Sequence, residues 1–337
     1  MGDPAGIGPE ILARTLANAT LRREARLVAV GDPEILGRAA RLARAPVRLK
    51  PVAPDSPEIR EDDPRETPIV VSGTGTWAAI EPGVPSEASG RAAARSIEVA
   101  AAIASRRGAD ALVTPPISKM ALKSAGYPFP GHTEFLGSLT GARETRMLFT
   151  GGRFRILLAT IHLALRRVSD SLETGSLLRT LEYGAAALRN FGWGMKKRIA
   201  VLALNPHAGE GGLFGDEETR VIGPAIERAK ERGIRAEGPF PADTFFAHRA
   251  IGGDIGVVVA MYHDQGLIPA KMGGIGGAAN VTLGLPFIRA SVDHGTAFDR
   301  AWKRGARPDP AGLIKAALVA VDLASRSRGR ILEWAWP

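Results

Sequence analysis

At 337 residues, 45% hydrophobic and 23% charged, the chain is long enough to bury a large core, and its composition excludes disordered and fibrous classes. It contains no cysteine, which excludes a disulfide framework and restricts any metal site to His, Asp and Glu ligands. The formal charge of +9 comes from Arg and Lys interleaved with Glu and Asp along helical segments, which argues against a nucleic-acid partner and suits small anionic substrates.

In chain order, the opening GDPAGIGPE, Gly2 to Glu10, reads as a glycine-rich turn feeding a helix, where backbone N–H groups can meet an anion. Nothing there resembles a leader, and no apolar run reaches the roughly 18 residues of a membrane span. A cytoplasmic protein with no membrane partner is the expectation. Strands are predicted at Arg26–Val30, Ala109–Thr114, Arg155–Ile161, Ile199–Leu204, Ile255–Met261 and Phe287–Val292, each an almost continuous apolar run. Between them, Ser86 opens an Ala-rich helix that Gly108 ends, and Leu172–Asn190, Asp216–Arg232 and Ala311–Ser325 read as further helices. The stretch Lys50–Glu66, rich in Pro, Asp and Glu, reads as a surface excursion. Alternating buried strands and helices predict an α/β fold with a parallel sheet. Neither GxGxxG nor a Walker A loop occurs, so no standard nucleotide motif is present.

Three of the six histidines follow predicted strands: His162 after RILLATI, His207 after IAVLALNP and His263 after IGVVVAMY. Ligands of open α/β sheets bind beyond the carboxyl ends of the strands, so the three imidazoles are expected on one functional edge. Three neutral imidazoles with an open coordination position make a catalytic divalent-metal site. The competing reading, a loop histidine bonded to backbone, is sound for any one of them and weaker for three equivalent positions.

Anion features lie elsewhere. PGHTEFLGSLTG puts His132 and Thr133 at the start of a short helix, with Thr133 a natural cap. Downstream, Lys271, five glycines within 273–284, Asn280 and Arg289 let backbone approach a ligand while two cations neutralise it.

Taken together and in order, GDPAGIGPE, PGHTEFL, NPHAGEGGLFGDEE, PFPADTFF, MYHDQGLIPAK and NVTLGLPFIRASVDHGTAFD resemble the motif series of the 4-hydroxythreonine-4-phosphate dehydrogenase family of pyridoxal phosphate biosynthesis. The resemblance covers nearly the whole chain. It implies a single two-lobed α/β chain, similar to isocitrate and isopropylmalate dehydrogenases and not a Rossmann fold, with the active site in the cleft between lobes. It implies metal binding by His162, His207 and His263, and substrate binding by His132, Thr133, Lys271, Asn280 and Arg289. It further implies a homodimer with composite active sites, His162 and His207 of one chain sharing an ion with His263 of the other. The loop His294, Gly295, Thr296 resembles the adenosine-holding loop of isocitrate dehydrogenases. Family members carry a short strand before GDPAGIGPE, so the resemblance implies an upstream extension of the frame or a sheet lacking that strand.

The implied reaction is NAD- or NADP-linked oxidation of the C3 hydroxyl of 4-phosphooxy-L-threonine, then loss of carboxylate, assisted by zinc, magnesium or cobalt. Lys271, Asp243 and a water held by the ion all stay open as general base. A paralogue for threonate or erythronate phosphate, or for a cyclic diol acid, would share the histidines. A three-histidine metal hydrolase and a phosphate acyltransferase are the readings from other classes.

Overall fold

The computed structural model describes residues 1–337 apart from 62, 64, 75–76, 153, 249–252, 273–277, 328 and 336–337. Four of the five glycines expected to line an anion loop therefore lie outside the described residues. In chain order the helices are α1 (Gly8–Leu16), α2 (Ala19–Glu24), α3 (Pro33–Ala43), α4 (Glu87–Ser105), α5 (Lys119–Ser124), α6 (His132–Thr140), α7 (Val168–Ser171), α8 (Thr174–Asn190), α9 (Gly223–Glu231), α10 (Ala242–His248), α11 (His263–Lys271) and α12 (Ala311–Ser327). The strands are β1 (Ala29–Gly31), β2 (Leu49–Val52), β3 (Thr67–Val71), β4 (Ala111–Thr114), β5 (Arg146–Thr150), β6 (Ile156–Leu158), β7 (Arg198–Leu202), β8 (Ala236–Phe240), β9 (Ile255–Ala260), β10 (Ala279–Leu283) and β11 (Ile288–Ser291). The chain forms two compact units, Met1–Arg143 with Leu285–Asp322, and Glu144–Gly284 with Leu323–Pro337.

In the first unit β1, β3 and β2 run parallel in that spatial order, and β4 pairs in parallel with β11. The stretch expected as a surface excursion thus begins in a strand, since Lys50, Pro51 and Val52 pair with Pro68, Ile69 and Val70. Only Val52 of β2 is buried, which is why an edge strand of this composition carries no apolar run. Helix α4 opens as predicted: Ser86 accepts from the Ser89 N–H while the Ser89 hydroxyl accepts from the Ser86 N–H, a reciprocal cap. Beyond the cap, Gly90 is the point where α4 meets α5. A Cβ there would lie 2.0 Å from the Ala121 carbonyl oxygen.

Between β1 and β4 lies a cavity of about 180 Å³, lined by both strands, by Ile97, Ile103 and Ala104 of α4, and by Met1. The Met1 ammonium donates to the Val30 carbonyl at 2.9 Å and the Asp3 N–H to the Pro116 carbonyl at 3.0 Å. The first three residues therefore reach from the end of β1 to just beyond β4.

The second unit holds the strand order β10-β5-β6-β9-β7-β8. β5 is antiparallel to both β10 and β6, whereas β6, β9, β7 and β8 are parallel. The antiparallel strand β5 separates this sheet from a Rossmann arrangement, which is parallel throughout its nucleotide-binding half. All six residues of β9 are buried, with Val258 and Ala260 packed among Phe149, Ile156, Leu158 and Leu202. Burial on both faces is what makes Ile255–Ala260 a continuous apolar run.

Replacing Gly90 by Ala should destabilise the protein by about 1–3 kcal/mol, because a rigid backbone carbonyl must move to admit one methyl. Urea unfolding checks this, and a variant as stable as wild type would show that α4 and α5 separate freely.

Candidate active site

The three strand-end histidines all belong to the second unit, beyond neighbouring parallel strands: His162 after β6, His263 after β9 and His207 after β7. Two of them meet. The rings of His162 and His263 are 5.9 Å apart, centroid to centroid. Two imidazoles bound through nitrogen at about 2.0–2.1 Å to one tetrahedral ion would have centroids roughly 5–6 Å apart. His207 instead has its ring 6.2 Å from Phe214. Among the described residues no group of three His, Asp or Glu side chains stands close enough to hold an ion. Within the single chain the rings of His162 and His263 thus come together.

Polar ties fix these strand ends. The Met261 carbonyl accepts from the Thr160 N–H at 3.1 Å and the Thr160 hydroxyl at 2.7 Å. Gln265 then bridges two strand ends, its Oε1 accepting from the Met261 N–H and its Nε2 donating to the Ala203 carbonyl, both at 2.7 Å. Nδ1 of His263 lies 2.6 Å from Oδ1 of Asp264. A carboxylate there holds the Nδ1 proton and leaves the Nε2 lone pair for a ligand. His162 and His207 both have left-handed backbone, with φ of 48° and 51°. That conformation costs about 1–2 kcal/mol for a residue with a side chain, and such strain concentrates at functional positions.

Lys271 closes α11 and is exposed, and Asp243 is exposed in the first turn of α10. Asn280 lies on β10, opposite Phe149. Its Oδ1 is buried and has no hydrogen-bond partner among the described residues, and an unpaired buried acceptor costs about 1–3 kcal/mol.

The first unit carries the other predicted residues. Arg289 on β11 is 3% exposed and donates to the Thr114 hydroxyl from Nε at 3.2 Å and from a terminal nitrogen at 2.7 Å. Burial brings its pKa down to about 10, opposed by the charge of Glu134, so it remains a cation at neutral pH. His132 is held well below the usual histidine range, by burial first and then by the Arg289 and N-terminal charges. It is a neutral imidazole beside a buried cation. Thr133 does not cap: Gly131 is the N-cap of α6, and Thr133 is the second helical residue. An extended glycine can enter the helix without a side chain, so the hydroxyl of Thr133 is not used in capping.

Thr296 packs on the opening turn, its carbonyl accepting from the Ile7 N–H at 3.0 Å. A Cβ at Gly6 would lie 2.9 Å from the Thr296 Cβ. Two glycine-bearing motifs 290 residues apart in sequence thus touch through backbone, with His294 and Gly295 leading into the contact; the Gly295 carbonyl lies 3.1 Å from the His294 Nδ1. Residues that the sequence did not single out are Thr114, Thr160, Asp264 and Gln265. Of these only Asp264 had a visible signal, as the acidic neighbour of His263 in MYHDQ.

A mixed α/β sheet with imidazoles beyond three parallel strand ends, and a separate unit holding a buried cation beside a neutral histidine, defines an enzyme that handles a small anionic ligand. Residues 23–320 match the model of the pyridoxal phosphate biosynthetic protein PdxA, and the chain belongs to that family. It is 44% identical over 98% of its length to a 4-hydroxythreonine-4-phosphate dehydrogenase of Geobacter metallireducens, covering 95% of that protein. It is 41% identical over 97% of its length to a D-threonate 4-phosphate dehydrogenase of Cupriavidus necator, covering 96% of it. Among solved structures, the Klebsiella pneumoniae 4-hydroxythreonine-4-phosphate dehydrogenase superposes with a TM-score of 0.87 at 38% identity, covering 96% of each chain. A terephthalate 1,2-cis-dihydrodiol dehydrogenase from Burkholderia xenovorans LB400 gives 0.64 at 30% identity, again covering 96% of each chain.

The lowered His132 pKa has a sign. Unfolded protein binds a proton at His132 below about pH 6.5, whereas the folded protein does not, so its contribution to stability is complete above that value and is lost as pH falls. His132→Gln removes the titration. The melting temperature of wild type relative to His132→Gln should therefore fall between pH 7.5 and pH 5; a gap independent of pH would mean that His132 protonates normally in the folded state.

Proposed function

We propose that the chain is an oxidoreductase that oxidises 4-phosphooxy-L-threonine at its C3 hydroxyl by hydride transfer to NAD+ or NADP+, with release of a proton, after which the resulting β-keto acid loses its carboxylate as carbon dioxide. The observation that carries this reading is family membership together with 44% identity to a named 4-hydroxythreonine-4-phosphate dehydrogenase over almost the whole chain. A second reading, oxidation of D-threonate 4-phosphate, draws on the 41% identity to an enzyme of that name. Both substrates present a phosphate, a carboxylate and a hydroxyl to be oxidised.

In this reading Arg289 is the cation for an anionic end of the substrate, held in one orientation by Thr114. A guanidinium suits phosphate because its donors form a planar fork. Neutral His132 donates or accepts one hydrogen bond without adding charge, and the Thr133 hydroxyl and Asn280 Oδ1 supply further contacts. His162, His207 and His263 are the ligands of a divalent ion, zinc, magnesium or cobalt. Such an ion supplies Lewis acidity toward the substrate oxygen. Asp264 keeps Nε2 of His263 available for it. Lys271 and Asp243 are the candidates for moving the hydroxyl proton, and the 294–296 loop is the candidate cofactor contact.

A homodimer with composite sites completes the reading. Among the described residues, six of the eleven exposed large hydrophobics, Leu163, Leu165, Leu213, Phe214, Ile268 and Met272, follow one of the three histidines by no more than nine residues. Exposed apolar side chains concentrated beside an incomplete ligand set suit a surface that a second copy covers.

Incubation of the protein with each phosphorylated acid and NAD+ or NADP+, followed at the absorbance of the reduced cofactor, should give turnover that chelation abolishes and a divalent ion restores. Turnover of neither acid would overturn the substrate reading, and full activity after chelation would remove the metal. Composite sites are tested by pairwise mixing of His162→Ala, His207→Ala and His263→Ala homodimers, each inactive alone. Half of randomly reassociated dimers are mixed and have one intact site of two, so two of the three mixtures should recover about a quarter of wild-type activity. The mixture that fails names the two ligands drawn from one chain. Recovery in none, with subunit exchange verified, places all three in one chain.

A further inference from the structure

Two buried glutamates that this chemistry does not use sit against the His207 turn. Glu217 and Glu218 are 9% and 7% exposed. Oε1 of Glu218 accepts from the backbone N–H groups of Leu204 and Asn205, both at 2.8 Å, and its Oε2 accepts from Nδ2 of Asn205 at 3.0 Å. Glu217 takes the same side-chain amide on Oε2 at 2.6 Å, and its Oε1 accepts from the Ser169 hydroxyl. Hydrogen bonds to a carboxylate are about twice as strong as neutral ones, and four of these five bonds come from residues 204–205, just before the turn.

Beyond Asn205 the backbone is left-handed at five consecutive residues, His207 to Gly211, with φ between 44° and 80°. Left-handed residues normally occur singly. Three of these five carry side chains, so the turn persists only because its surroundings over-determine it. The fit is mutual: a Cβ at Gly209 would lie 2.7 Å from Oε2 of Glu218, and one at Gly215 would lie 2.5 Å from Nδ2 of Asn205 and 2.7 Å from Oε2 of Glu217. The glycines of NPHAGEGGLFG make room for the two carboxylates as well as for the turn.

We propose that Glu218, assisted by Glu217, is a positioning residue that holds the left-handed turn so that His207 meets the divalent ion in one orientation. This rests on the reading of His207 as a ligand. Glu218 reaches no reacting atom; it acts through the N–H groups of residues 204 and 205. The sequence runs Asn205, His207, Glu217 and Glu218, so the clamp and the ligand it serves belong to one segment.

The test uses the full chain in two variants. Glu218→Ala removes the clamp. Glu218→Gln keeps its shape while putting an amide donor where a carboxylate accepts, which leaves an informative variant if the alanine form does not fold. Hydrogen exchange at the Leu204 and Asn205 amides reads the clamp, and titration of the chelator-treated protein with cobalt(II) alone reads its consequence. Both amides should lose protection while those of β9 keep theirs, and cobalt affinity should fall about 10- to 100-fold, with turnover recovering at saturating cobalt. Loss of protection throughout β7 and β9, or wild-type cobalt affinity with the two amides exposed, would reduce Glu218 to a fold element and overturn the proposal. A His207→Ala protein measured in parallel separates two failures. If it binds cobalt like wild type, His207 is not a ligand. If it binds weakly and the Glu218 variants bind normally, only the positioning role falls.

Discussion

The peptide groups of Met261 are the point on which the second unit's functional edge depends. One carbonyl receives two donors from Thr160, and one N–H is taken by Gln265, whose other end holds Ala203. These residues stand where β6, β9 and β7 stop pairing with one another, so a row of main-chain bonds is extended by side chains past the end of the sheet. Beyond a sheet edge the backbone normally passes to water and to loop disorder. Here each of the three segments leaves the sheet already tied to a neighbour. The His162–His263 separation of 5.9 Å follows from that, since each ring lies two residues from a member of the Thr160–Met261 tie.

The third segment is ordered by a different device. His207 stands five residues after β7, too far for strand pairing to fix it, and the chain instead accepts a left-handed turn anchored by buried carboxylates. The hydrogen bonds that satisfy the two buried acids fall mainly on residues 204 and 205, immediately before the turn, so the turn leaves a fixed stem. A stiff segment of this kind leaves the backbone around His207 little entropy to lose in any contact it makes.

How much of this was legible in the sequence depends on how local each signal is. Strands β6, β7, β9 and β11 were visible because burial on both faces forces continuous apolar runs, β1 and the half-buried β4 were visible because their runs are apolar all the same, and the α4 cap was visible because a Ser opens an Ala-rich stretch. Strands β2, β3, β5, β8 and β10 were not predicted. Their sequences, such as LKPV, TPIVV, RMLFT and AEGPF, are short and interrupt their apolar residues with polar ones or Pro, and for β2, β5, β8 and β10 the pairing is decided by partners elsewhere in the chain. The three histidines could be read from their strand ends, but the His162–His263 contact could not, because spacing says nothing of spatial strand order. The polar ties were illegible for the same reason: Gln265 is an ordinary helix residue until Ala203, 62 positions earlier, is placed beside it.

The first unit shows why a buried arginine and a neutral histidine belong together. A guanidinium at 3% exposure loses much of its hydration, and burial lowers its pKa only to about 10, which leaves a full positive charge at neutral pH with little water to screen it. A lysine in the same place would shift further toward neutrality, since an ammonium is more strongly hydrated than a guanidinium. That unscreened charge also works on its neighbour, helping burial to keep His132 unprotonated. The pair thus presents one fixed cation and one uncharged hydrogen-bonding group. Two adjacent cations would repel each other and bind any anion tightly, whereas this pair can pair its charge with one anionic group and reserve the imidazole for a neutral one. Such a pair can discriminate by where charge is absent as much as by where it is present.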